Sequence, residues 1–215
     1  MNKTTTKQML SAALVLCILF ASTTLLPASA IFSSWPEPAR NRIFMGDSRT
    51  VGMYTAVHGG YSSTIDSKLN NEYWIAKEGS GYKWMNSTAI PKAESYGIDR
   101  STQIFILFGV NDLGNQSKYL STINQKAQEW RQKGARVYFV SVNPVYEGKC
   151  RNISNARIEK FNTAMRSGLS YNVNYVDTYT SLYPEISQDS SKTDRYGLHY
   201  KTATYQEIYN TLLAC

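Results

Sequence analysis

The sequence predicts an α/β sandwich, and two observations carry that prediction. Five β-type segments alternate with helical ones: 42–46 (RIFMG), 72–76 (EYWIA), 103–108 (QIFILF), 136–142 (RVYFVSV) and 173–177 (VNYVD). Such alternation lays helices over a parallel sheet. The third and fourth segments are nearly continuous apolar runs, as strands covered on both faces require.

In chain order, residues 1–30 read as an export signal. Lys3 and Lys7 give a positive start, residues 9–26 are mostly apolar, and Ala28-Ser29-Ala30 is a small-residue cleavage site. The mature chain then begins near Ile31. A retained anchor is the competing reading, because the run is about long enough to span a bilayer. Cys17 does not mark a lipoprotein, since Leu16 stands where a small residue is needed. Residues 31–215 have the size of one domain with a sizeable core, and no second hydrophobic run suggests another span.

The helices follow from apolar stripes. Tyr119, Leu120, Ile123, Ala127 and Trp130 recur at helical spacing, and Gly134 ends that helix. A second stripe carries Ile158, Phe161, Met165 and Leu169, and a third carries Tyr205, Ile208, Tyr209 and Leu212. These stripes are core rather than cofactor boxes. Residues 179–198 read as a long polar connection, a length that signals a functional loop.

Of the 23 Lys and Arg residues, two lie in the leader, leaving 21 against 16 acidic residues and a net charge of +5 with no basic block. A nucleic-acid protein would gather its charge on one stripe; a spread excess fits attraction to an anionic cell surface or polymer. Sixteen Tyr and four Trp supply flat faces that can stack on sugar rings, although most such residues belong to the core. Cys150 and Cys215 form an even pair in an exported chain, so a disulfide between them is expected, with two free thiols as the alternative. No His, Cys and Asp cluster has metal-ligand spacing, and neither metal nor cofactor is expected.

Ligand sites in parallel α/β sheets lie outside the carboxyl ends of the strands. Three short stretches fall there. The first is GDSRT, where Ser48 follows the first strand and opens a helix whose amides point back at the site. A nucleophile and a mere helix cap of Asp47, Ser48 and Thr50 both fit this stretch taken alone. The second is FGVNDL, residues 108–113, where Asn111 offers a side-chain amide to an oxyanion and Asp112 can hold it or the loop. Gly, Asn and Asp are equally the residues of an ordinary turn. The third is His199, just before the last helix. A serine hydroxyl needs such a base, being too weak an acid to ionise unaided. His58, in AVHGG, is expected at a helix end and solvated.

The order GDS, G-x-N-D and a late His resembles the SGNH (GDSL-type) hydrolase superfamily over nearly all of residues 31–215. The resemblance implies a flavodoxin-like three-layer α/β/α sandwich with a five-stranded parallel sheet. It implies Ser48 as nucleophile and His199 as base. It also implies an oxyanion hole from the Ser48 amide, the Asn111 side chain and a glycine amide of AKEGSGYKW, Gly81 being favoured over Gly79. The chain departs from the family twice. Tyr196 stands three residues before His199 where members carry Asp, which makes Asp194 the assigned acid, with Asp177 or a Ser-His dyad as alternatives. Ala76, at the first strand of block two, stands in place of an Asn that many members have. The expected activity is hydrolysis of small acyl esters, including O-acetyl groups of a glycan, by an exported or cell-surface enzyme. A GDSL-type lipase or phospholipase and a weakened glycan-binding module are the rival readings.

Overall fold

The computed structural model describes residues 41–215. The export signal expected over 1–30 lies outside the described residues. Six strands form one sheet: β1 (Asn41–Gly46), β2 (Thr64–Leu69), β3 (Glu72–Lys77), β4 (Thr102–Leu107), β5 (Arg136–Val140) and β6 (Val173–Val176), in the order β2-β3-β1-β4-β5-β6. All neighbours pair parallel except β2 with β3.

The expected five-stranded parallel sheet is therefore a six-stranded mixed one. The additional strand, TIDSKL, buries only Ile65 fully and packs one edge, so it carries little of the apolar signal by which a strand is recognised. It folds back on β3 through Asn70-Asn71, with Asn70 in the left-handed region at φ 54°. Asn tolerates that conformation better than most residues.

Side-chain alternation sorts the core into two layers. One face of the sheet presents Ile43, Met45, Ile75, Ile104, Ile106, Val137 and Phe139. These meet α2, a continuous helical run over Tyr82–Trp84, Met85–Ala89 (π-helical) and Ile90–Ser95, together with α3 (Gln116–Gln132) and α4 (Asn155–Gly168). The opposite face carries an aromatic row across four strands. Phe44 stacks on Trp74 at 4.3 Å and on Phe105 at 5.1 Å, and Phe105 stacks on Tyr138 at 4.9 Å. Directly opposed aromatics of this kind stabilise a sheet beyond their area burial. The row is covered by α1 (Ser48–His58), α5 (Thr178–Ile186) and α6 (Thr202–Leu213). Among the described residues no helix is long and apolar enough to cross a membrane.

The three anticipated stripes do point inward: Tyr119, Ile123, Ala127 and Trp130 on α3, Ile158, Phe161 and Met165 on α4, and Tyr205, Ile208 and Leu212 on α6 are buried. Gly134 sits at φ 89°, ending the turn after α3. The polar connection over 179–198 is instead partly helical. Asp177 caps α5 through the Thr180 amide at 3.0 Å, and Tyr179, Leu182 and Ile186 give it a buried stripe that Thr, Ser and Pro184 obscure in the sequence. His58 does end α1 but is half-buried, not solvated. Its Nε2 lies 3.3 Å from Glu72 Oε2 and its ring packs edge-on against Trp74.

The expected Cys150–Cys215 bridge is absent, and both thiols are free. Cys150, beyond the carboxyl end of β5, packs with the α2–α4 layer. Cys215 follows α6 on the opposite face, where its backbone carbonyl accepts from Tyr138 Oη and its thiol donates back to the Thr211 carbonyl in the last turn of α6. The sheet separates them.

Candidate active site

The chain leaves β1 toward one edge of the sheet, returns past it and continues from β4 toward the other. The carboxyl ends of β1 and β4 thus flank a switch point, where open α/β sheets bind ligands. The β1–α1 turn is tight. A Cβ on Gly46 would lie 1.9 Å from Thr50 Oγ1 and 2.8 Å from the Leu107 carbonyl, so only glycine fits. Asp47 is the helix cap, its side chain accepting from Arg49 N at 3.0 Å, and this leaves Ser48 as the first helical residue with its side chain free of capping.

His199 reaches Ser48 from a small hairpin. Thr193 and Tyr200 pair antiparallel, and the Asp194 amide donates to the His199 carbonyl at 2.8 Å. Asp194 and His199 therefore face each other across the turn Arg195–Leu198. Gly197 has φ 70°, and a Cβ there would meet the Tyr146 carbonyl at 2.4 Å. The unusual five-residue spacing is what this turn needs. His199 Nε2 lies 2.9 Å from Ser48 Oγ, and Nδ1 lies 3.1 Å from Asp194 Oδ2. The other carboxylate oxygen accepts from the amides of Tyr196, Leu198 and His199 at 3.0, 3.1 and 3.4 Å. Partial burial raises the Asp194 pKa, but the His199 bond and the Leu198 and Tyr196 amides outweigh it, so the carboxyl is held below its ordinary value. Asp177, the alternative acid, caps α5 and lies 3.8 Å from Arg166. It is not joined to His199.

The block-two and block-three loops are locked together. Asp112 accepts from the Tyr82 amide at 2.8 Å, Asn115 Nδ2 at 3.0 Å and Tyr119 Oη at 2.7 Å. Gly81 lies against this carboxylate, and a Cβ would stand 2.5 Å from Asp112 Oδ2. Asn111 Nδ2 donates to the Ser80 carbonyl at 2.8 Å, which orients the amide and leaves its second N–H. Gly79 sits at φ 68°, with open space where a Cβ would stand. Ser80 also belongs to this arrangement, and its place between two glycines of the block-two loop is its only mark in the sequence.

Arg49 and Tyr200, which directly follow Ser48 and His199, belong to the site with no mark in the sequence beyond that adjacency. Arg49 donates to the carbonyls of Asn143 at 2.6 Å and Pro144 at 3.4 Å, Tyr200 Oη donates to the same Pro144 carbonyl at 2.5 Å, and the guanidinium lies 5.3 Å over the Tyr200 ring. The residues following Ser48 and His199 thus grip one loop. Burial pushes the Tyr200 phenol up to about 12, so it remains a donor.

Burial also drives Asp47 from its ordinary 3.8 up to about 6, against the Arg49 amide bond and the Arg49 charge. Between those values the folded state holds a proton that the unfolded chain has released. Stability therefore falls as pH rises through the window and stays lower above it, by about 3 kcal/mol. Asp47→Asn keeps the acceptor for the Arg49 amide and removes the buried charge. Urea unfolding should show it more stable than wild type by about 2–3 kcal/mol at pH 8 and nearly equal at pH 4; the same difference at both pH values would exclude this origin.

Of two concavities in this region, the first borders Ser48 and His199 and the second borders neither. One, of about 300 Å³, is lined by Ser48, Thr55, Tyr61, Glu78, His199 and Thr202 among others. The other opens from Asn111, with a volume of about 820 Å³.

A mostly parallel sheet between two helical layers, with a hydroxyl, imidazole and carboxylate in series at its switch point, is the framework of a hydrolase built on a flavodoxin-like sheet. The profile of the GDSL-like lipase/acylhydrolase family matches residues 44–207, and the chain belongs to that family. No match to a curated protein was found. Among solved structures, the chain resembles an alpha/beta hydrolase enzyme from the metagenome of Lake Arreo, Spain, at 12% identity and a TM-score of 0.61, covering 82% of this chain and 94% of that one. It also resembles an acetylxylan esterase from Geobacillus stearothermophilus, at 12% identity, TM-score 0.58 and coverage of 84% and 95%. A third is the catalytic domain of a peptidoglycan O-acetyltransferase from Streptococcus pneumoniae, at 18% identity, TM-score 0.53 and coverage of 83% and 93%. At these identities the likeness is one of fold.

Proposed function

We propose that the protein is an exported serine esterase that removes small acyl groups, O-acetyl groups of a glycan in particular. The supporting observation is the continuous series Ser48 Oγ, His199, Asp194 at 2.9 and 3.1 Å. In this reading His199 Nε2 takes the Ser48 proton as Oγ attacks the ester carbonyl, and Asp194 holds the Nδ1–H tautomer and stabilises the imidazolium. The oxyanion is received by the amides of Ser48 and Gly81 and by Asn111 Nδ2. His199 then protonates the leaving alcohol, and water attacks the acyl-serine by the reverse sequence.

The short acyl preference rests on the concavity beside Ser48, where Thr55, Glu78 and Thr202 interrupt the apolar wall of Val51, Ala56 and Tyr205 that a long alkyl chain would need to be continuous. The weakened binding module loses its one support, the displaced acid, because Asp194 reaches His199. The test is hydrolysis of p-nitrophenyl esters of increasing chain length. The expected result is a kcat/KM at least about tenfold higher for acetate than for octanoate, the discrimination of a pocket that excludes methylenes. Preference for octanoate would favour a lipase, and no turnover of any ester would return the protein to a binding module.

A further inference from the structure

The groove that opens from Asn111 runs between the loop after β5, which supplies Lys149, Cys150 and Arg151, and the Asp194–His199 turn, which supplies Arg195 and Tyr196. Lys149, Arg151 and Arg195 are exposed, and among the described residues none pairs with a carboxylate. Lys149 Nζ donates only to the Ser190 carbonyl, at 3.3 Å, and the Arg195 guanidinium lies 4.7 Å over the Tyr196 ring. The nearby acids are occupied: Asp194 holds His199 and three amides, and Glu147 accepts from the Asn155 amide at 2.5 Å. No carboxylate lines the groove itself. Three cations that line one groove with no carboxylate paired to any of them make it attractive to an anionic ligand.

Resting on the esterase reading, we propose that this groove is the subsite for the alcohol side of the substrate, and that it takes a saccharide bearing carboxylate groups. The groove begins at Asn111, which the esterase reading places in the oxyanion hole, so an occupant there lies next to the reacting ester. Its volume of about 820 Å³ is far larger than an acetyl group needs and accommodates sugar rings. Tyr196, a residue 56% exposed, offers them the ring face opposite Arg195. The guanidinium forks of Arg151 and Arg195 match planar carboxylates bidentately. The position where other family members carry the catalytic Asp, taken here by Tyr196, thus serves substrate binding.

The test is calorimetric binding to Ser48→Ala, which needs no turnover. Oligogalacturonate should bind at least about tenfold tighter than a neutral xylo-oligosaccharide of equal length at low salt, with the advantage shrinking as ionic strength rises. Adding Lys149→Gln, Arg151→Gln and Arg195→Gln should erase that advantage, with an unchanged Tm showing that the fold survives. If this triple variant is unstable, Arg151→Gln alone should weaken oligogalacturonate binding by about threefold. A control removing three exposed charges elsewhere, Lys68→Gln, Arg131→Gln and Lys133→Gln, should keep it. Equal affinity for acidic and neutral oligosaccharides, an equal loss in the control, or tighter binding of poly(glycerol phosphate) would each overturn the proposal. Failure of the esterase reading would appear separately, as wild-type protein inert toward p-nitrophenyl acetate.

Discussion

Ser48→Ala will lower kcat on p-nitrophenyl acetate by about 10⁵- to 10⁶-fold while leaving the protein folded. The size follows from the role proposed for Oγ: without it there is no acyl-serine, and what remains is the stabilisation offered by a vacant oxyanion site to attack by water. The survival of the fold follows from local structure. Asp47, not Ser48, caps α1, and the serine hydroxyl's hydrogen bond is to His199. Alanine is also a better helix former at the first helical position. Losing one partly exposed hydrogen bond costs about 1 kcal/mol. A folded variant with undiminished turnover would remove Ser48 from the chemistry.

Asp194→Asn should lower kcat by about 10⁴-fold. The three amides of Tyr196, Leu198 and His199 decide how the new side chain sits. All three are donors to Asp194 Oδ1, so the asparagine must turn its oxygen toward them and its NH₂ toward His199 Nδ1. Nδ1 then becomes an acceptor, the ring proton moves to Nε2, and His199 offers Ser48 a donor where a base is required. The loss should fall on kcat rather than KM, because the substrate does not touch Asp194 in the proposed mechanism. Asp177→Asn is the control. It changes only the α5 cap and the exposed approach of Arg166, and should leave kcat near wild type at a stability cost of about 1 kcal/mol or less. If Asp177→Asn is the damaging change, the acid lies at the end of β6. If neither matters, the site works as a dyad.

What could be read without the structure was what repeats or clusters along the chain. Apolar runs disclosed β1 and β3–β6, and helical stripes disclosed α3, α4 and α6, because burial on a face imposes a period on neighbouring residues. Ser48, Asn111 and His199 were legible because each sits in a short motif at a strand end or just before a helix. Elements with weak burial escaped. β2 covers one edge with Ile65 as its buried apolar anchor, and α5 hides three apolar residues among Thr, Ser and Pro.

Other matters were decided only by the packing of distant segments. That Asp194, not Asp177, lies beside His199 depended on a hairpin closed by the Thr193–Tyr200 bridge, since a five-residue spacing alone does not say whether a carboxylate can reach a ring. The free state of Cys150 and Cys215 depended on which faces of the sheet their segments reach, and an even cysteine count carries no such information. The basic groove is the plainest case. Lys149, Arg151 and Arg195 form no block in a sequence whose +7 charge is spread throughout, and they share a concavity because the loop after β5 and the His199 turn meet beside Asn111. Periodicity is a property of neighbours in the chain, whereas a binding site is a property of neighbours in space, and only folding converts the one into the other.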